Sequence, residues 1–126
     1  MVDTIFCTSG AALKRAGANV STAIATLTIG TDYAVEQWIS DAESFINVAS
    51  RQNFSDTYST LNVDVKKILE ETAACLTAIQ CIIYDMGNYN SRTEAEDMIN
   101  TLRDMANRNI AYLRDMKYTE DFIKKA

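Results

Sequence analysis

The sequence predicts an all-α protein: a small helical bundle of three long helices, with a less regular N-terminal segment and a C-terminal tail. Three observations carry this expectation. Apolar residues recur at spacings of three and four along three separate stretches, the period of one helix face. The chain has no proline and only four glycines, so little interrupts a helix and few tight turns are encoded. That scarcity excludes most β-sandwiches and barrels, whose many turns need such residues. Finally, 126 residues fit one domain, which hides roughly two-thirds of its unfolded surface.

The front of the chain, residues 1–31, reads as an N-terminal arm or short helix. Ser9 to Ala16 form a short helical pattern that Gly17 closes. From Ala18 to Gly30 the Ser, Thr, Ala and Ile residues fit neither the helical nor the strand period. A loop with one helical turn is expected there.

The bundle core is placed at 32–117. The clearest pattern runs from Asp32 to Asn53, where Val35, Trp38, Ile39, Ala42, Phe45, Ile46 and Ala49 form one stripe. Glu36, Gln37, Ser40, Asp41, Glu43, Ser44 and Asn47 fill the opposite face. Thr31 or Asp32 is the expected cap, and Arg51 suits the negative end of the helix dipole. Asn53 to Asn62 reads as a polar connection anchored by Phe54 and Tyr58.

A second helix is expected from about Asn62 to Met86, with Gly87 as its C′ residue. Between Thr72 and Tyr84 it is apolar nearly all round, with Gln80 as the one strongly polar residue. Such a helix is central to its domain or buried by a partner. Ser91-Arg92-Thr93-Glu94 is a capping box that opens a third helix, striped by Ala95, Met98, Ile99, Leu102, Met105, Ala106, Ile110 and Leu113. The link from Gly87 to Asn90 is short, so these two helices should pack as an antiparallel hairpin. The tail, 118–126, carries Phe122 and Ile123 in a short amphipathic pattern and is a candidate docking segment.

The charge balance narrows the partners. Twelve Lys and Arg stand against seventeen Asp and Glu, a net charge of −5. A protein that wraps DNA presents a basic face, so specific nucleic-acid binding is not expected, although DNA can slide past an acidic wall without sticking. No apolar run approaches the ~20 residues needed to span a bilayer, and no apolar leader follows Met1-Val2-Asp3-Thr4. The odd set Cys7, Cys75 and Cys81 reads as buried small hydrophobes in a reducing compartment.

Nothing in the sequence assembles a catalytic or cofactor site. There is no histidine, which removes the commonest general base and transition-metal ligand. No glycine-rich phosphate loop exists. Glu70-Glu71, Glu94 with Glu96 and Asp97, and Glu120-Asp121 flank apolar stripes and read as solvated helix faces, not as a di-metal site. Asp104, Arg108 and Arg114 are likewise expected as surface charges, and Met98, Met105 and Met116 as packing residues. The expected assignment is therefore no catalytic, cofactor-binding or metal residues. Half-exposed tyrosines at helix ends are common in interfaces and equally serve as caps of a domain's own core, and Tyr84, Tyr89, Tyr112 and Tyr118, with Phe122, Ile123, Lys124 and Lys125, are the candidate interface residues.

Taken together, these residues resemble the small helical head–tail adaptor (connector) proteins of tailed bacteriophages. The match is carried by Trp38-Ile39-Ser40-Asp41-Ala42-Glu43-Ser44-Phe45-Ile46-Asn47 and then Arg51-Gln52-Asn53-Phe54. It continues through Ala73-Ala74-Cys75-Leu76-Thr77-Ala78-Ile79, Tyr84-Asp85-Met86-Gly87-Asn88-Tyr89 and Ser91-Arg92-Thr93-Glu94-Ala95-Glu96-Asp97-Met98-Ile99-Asn100. The resemblance covers roughly residues 32–123, and the front thirty residues depart from the shorter adaptors. It implies a virion neck protein made in the bacterial cytoplasm, assembled with itself as a ring, commonly a dodecamer, beneath the portal protein. It further implies a platform for a tail-completion protein, a channel through which DNA passes, and a C-terminal tail that grips the portal. A generic helical protein-binding module, or another virion component, is the alternative.

Overall fold

Helix after helix follows from the stripes read above. The computed structural model describes residues 5–17, 28–29, 32–51, 53–60, 62–84 and 92–114. In chain order these form α1 (Ser9–Ala16), a two-residue ladder β1 (Thr28–Ile29) and β2 (Asp32–Tyr33), α2 (Ala34–Ser50), the short α3 (Phe54–Thr57) continued by a 3-10 turn (Tyr58–Thr60), α4 (Val63–Tyr84) and α5 (Arg92–Arg114). The protein is all-α, with three long helices and the shorter α1 packed beside them.

α1 starts where Thr8, extended, accepts the Ala11 N–H on its hydroxyl at 3.3 Å. It stops at Gly17, whose φ of 92° is open to glycine and costly for other residues. A side chain there would also crowd the Met98 methyl, 3.3 Å from the position of a Cβ. The short front helix closed by Gly17 thus forms as expected. Thr28–Ile29, within the stretch expected to be loop, pairs antiparallel with Asp32–Tyr33. The rest of Ala18–Gly30 lies outside the described residues.

The start of α2 differs from expectation. Asp32 is held in the ladder opposite Ile29, so the helix begins two residues later at Ala34. Tyr33 occupies the N-cap position and makes no side-chain capping bond. At the other end Arg51 acts through its backbone: at φ 62° it is left-handed, and its N–H reaches the Asn47 and Val48 carbonyls.

The buried face of α2 also departs from its apolar stripe. Val35, Ile39, Ala42 and Ile46 point inward, but so do Glu43 and Ser50, while Phe45 is 52% exposed. At 100° per residue the buried arc is turned roughly 50° away from the centre of the apolar one. The reason is a chain of polar satisfactions. Glu43 Oε2 accepts the backbone N–H groups of Ile5 (2.6 Å) and Phe6 (2.8 Å), and the Ser50 hydroxyl donates to the Ile46 carbonyl at 2.7 Å. Phe6 fills the space this creates and stacks on Tyr58 at 5.8 Å, and Lys66 lies 5.2 Å over the same tyrosine ring. Asn47, expected in solvent, ties the connection down: its amide donates to Ser55 and its carbonyl accepts the Phe54 N–H. Phe54 and Tyr58 serve as the anchors of that connection, Phe54 fully buried and Tyr58 half-buried.

α4 is the central element, with α1, α2 and α5 all packed on it. Most of its apolar circumference is therefore buried inside the domain, from Leu69 through Ala73, Ala74, Cys75 and Ala78 to Ile82. Within Thr72 to Tyr84, the stretch expected to be central or covered by a partner, Ile83 and Tyr84 remain exposed and Leu76 is partly buried. α5 packs along α4, placing Asn109 beside Glu71, and Met98 and Met105 pack against the core. Gly87, the Ser91 cap and Met116 lie outside the described residues.

Candidate interaction surface

Rotation of α2 leaves Phe45 of its apolar stripe exposed and Trp38 and Ala49 only partly buried. Trp38 and Phe45 form one wall of a groove, Leu76 and Ile79 of α4 its floor, and Arg103 and Asn107 of α5 the facing wall. The cavity measures about 580 Å³. Asp41 on one rim and Arg103 on the other are both exposed. The Tyr84 ring is tilted against the Trp38 of that wall at 6.2 Å. An apolar floor with sparse polar groups on the rim is the general form of a binding cleft.

Of the sequence-derived candidates, Tyr84 and Tyr112 are exposed aromatic side chains on the described surface. Tyr84 contacts the groove-wall residue Trp38, whereas Tyr112 stands near the end of α5. Tyr89, Tyr118, Phe122, Ile123, Lys124 and Lys125 lie outside the described residues. Sequence reading missed Phe45 as a surface residue because its spacing matches the core stripe, whereas Trp38 packs partly buried against the core. Arg103 and Asn107 carry no signal apart from their place on the polar side of α5.

A second polar centre is Glu71. It was expected as a solvated charge, but it gathers Arg15 at 4.0 Å, Arg108 at 3.7 Å and the Asn109 amide at 3.2 Å. The carboxylate therefore bridges α1, α4 and α5, and Arg108 is a partner in that bridge as well as a surface charge. Both arginines stay largely in water, so this cluster orients helices more than it stabilises them.

The electrostatics around the cysteines oppose reactivity. Cys7, Cys75 and Cys81 are all buried and unbridged. Burial pushes the Cys7 thiol up to about 12, helped by the nearby Glu43 and Glu70 carboxylates. Burial likewise pushes Cys81 up to about 11 and raises Cys75. Such thiols stay protonated and are poor nucleophiles at neutral pH. Among the described residues, no group of three or more His, Cys, Asp or Glu side chains is arranged to hold a metal ion, and no helix is long and apolar enough to cross a membrane.

No family model, curated protein or solved structure matches the chain. Its candidate site is thus defined by its own geometry: an aromatic-walled groove over the central helix, with one charge of each sign on its rims.

Proposed function

We propose that the chain is a structural subunit of a phage head–tail connector, forming an oligomeric ring between portal and tail through which DNA passes. The observation that carries this reading is the distribution of apolar side chains left in solvent. Phe45 and Val48 lie on α2, Val63 begins α4 and Tyr112 sits near the end of α5. A closed ring needs two different patches on one rigid subunit, since each copy presents one face to the neighbour before it and another to the neighbour after. The connector-like motif supports the same reading by its placement. Ile39, Ala42, Glu43, Ile46 and Phe54 are the members that build the scaffold, and Trp38 and Phe45 are left for contact. A net charge of −5 suits a channel wall that DNA must pass without adhering.

Electron cryomicroscopy of the native particle tests the proposal. The expected result is a ring of these subunits beneath the portal. A particle with portal and tail but without this protein, together with a chain that stays monomeric beside the portal, would overturn it. The groove favours a second reading, a helical protein-binding module, which predicts one-to-one capture of a partner helix and no ring.

A further inference from the structure

We infer that copies of the chain join head to tail, Tyr112 of one copy entering the groove beside Trp38 and Phe45 of the next. The inference rests on the connector reading for the ring and adds the subunit contact that builds it.

Helix geometry supplies the first argument. Tyr112 follows Arg103 by nine residues of α5, about two and a half turns, so the two stand on opposite flanks of that helix. Arg103 lines the groove, whereas Arg108, one turn before Tyr112 and on its flank, reaches Glu71 at 3.7 Å. The groove and Tyr112 therefore face away from each other within one molecule. A copy whose Tyr112 is docked still presents its own groove, so every pair stays open to a further copy at both ends. Contacts of this heterologous kind repeat, and they close into a ring when the rotation per copy permits.

Chemical fit supplies the second argument. Tyr112 is 58% exposed, an apolar ring ending in a hydroxyl that needs a hydrogen-bond partner once covered. The groove offers Trp38, Phe45 and Leu76 to the ring, and the amides of Gln80 and Asn107 to the hydroxyl. Charge sets the orientation. On the Tyr112 flank, Lys14, Arg15 and Lys67 line a cleft with Glu70 and Glu71, and Arg108 adds a fourth cation against those two carboxylates. The groove carries the exposed carboxylate of Asp41 on the rim away from Arg103. Tyr112 thus enters with Arg108 toward Asp41, where opposite charges meet.

Two variants at exposed positions separate the halves of the contact. Tyr112→Ala keeps the groove and loses its occupant; Phe45→Glu blocks the groove and keeps Tyr112. In sedimentation equilibrium the wild-type chain should associate beyond a dimer as concentration rises. Each variant alone, with far-UV circular dichroism unchanged, should associate about tenfold or more weakly, the scale of losing an aromatic anchor. Mixed, they should form a one-to-one pair that grows no further, because their one intact groove and one intact Tyr112 are then both used. Wild-type association of Tyr112→Ala, with no rescue in the mixture, would show twofold groove-to-groove pairing and overturn the inference. A wild-type chain that stays monomeric at every concentration would overturn it too. The native particle judges the connector reading separately. A ring whose contacts lie elsewhere sinks the inference alone; head-to-tail association in solution, with no ring in the particle, sinks the connector reading alone.

Discussion

Glu43 holds Phe6 by its backbone: the carboxylate Oε2 accepts the Phe6 N–H at 2.8 Å, across 37 positions of sequence. The same oxygen accepts the Ile5 N–H at 2.6 Å, so one buried side chain of α2 fixes the path of the segment that enters α1. A buried charge is costly unless hydrogen-bonded, and these two donors, otherwise orphaned, make Glu43 tolerable at 5% exposure.

Removing that acceptor should loosen the front of the protein. Glu43→Ala is expected to destabilise by about 2–4 kcal/mol, because it leaves two backbone donors without a partner. Glu43→Gln, which retains a carbonyl acceptor, should lose less. Urea unfolding of the three proteins decides it; equal midpoints for Ala and wild type would show that the two bonds contribute nothing.

The rotated face of α2 predicts opposite outcomes for neighbouring residues. Ile46→Ala should cost about 2–5 kcal/mol, since Ile46 is fully buried in the core cluster. Val48→Ala, at a position 78% exposed, should stay within about 0.5 kcal/mol of wild type. Thermal denaturation monitored at 222 nm separates them. The reverse order would show that Ile46 does not face the core.

Thr77 offers a stabilising substitution. Its hydroxyl is buried on α4 without a hydrogen-bond partner, unlike Thr72, which donates to the Ile68 carbonyl at 2.7 Å. Thr77→Val keeps the branched shape and removes the stranded polar atom, so stability should rise by about 1 kcal/mol. Thr72→Val forfeits a made bond and should not gain. Paired chemical denaturation of the two variants is the check.

Thiol titration should make stability fall in alkali. Cys7 and Cys81 hold their protons up to about 12 and about 11, against an ordinary thiol value of 9.0 for each. Above pH 9 the unfolded chain loses these protons and the folded chain keeps them, so unfolding is favoured. The contribution is whole below pH 9 and is lost as pH rises through 11 and 12. Urea midpoints should therefore decline from pH 8.5 to pH 10.5, less steeply in Cys7→Ala after allowance for its lower starting stability. Rapid reaction of either thiol with a disulfide reagent at pH 8 in the folded state would contradict this account.

Local sequence by itself determined α1, α2, α4 and α5 as helices, although it read the short α3 as part of a connection. The threefold and fourfold recurrences in α2, α4 and α5 are properties of short windows, as is the Ser9–Ala16 helix ended by a glycine whose left-handed backbone other residues avoid. The all-round apolar stretch of α4 also announced a helix with no solvent face. Whether the domain or a partner covers it was decided by the tertiary structure, because only the assembled fold puts α1, α2 and α5 against that helix. The orientation of α2 was decided there too. Its stripe alone would bury Phe45 and expose Glu43, and the actual arrangement is the reverse, because the donors that make a buried Glu43 affordable come from Ile5 and Phe6. No helical window contains that information, and the same rotation opened the groove beside Trp38. Periodicity describes a helix in isolation; which arc faces inward depends on polar partners that folding brings from far along the chain.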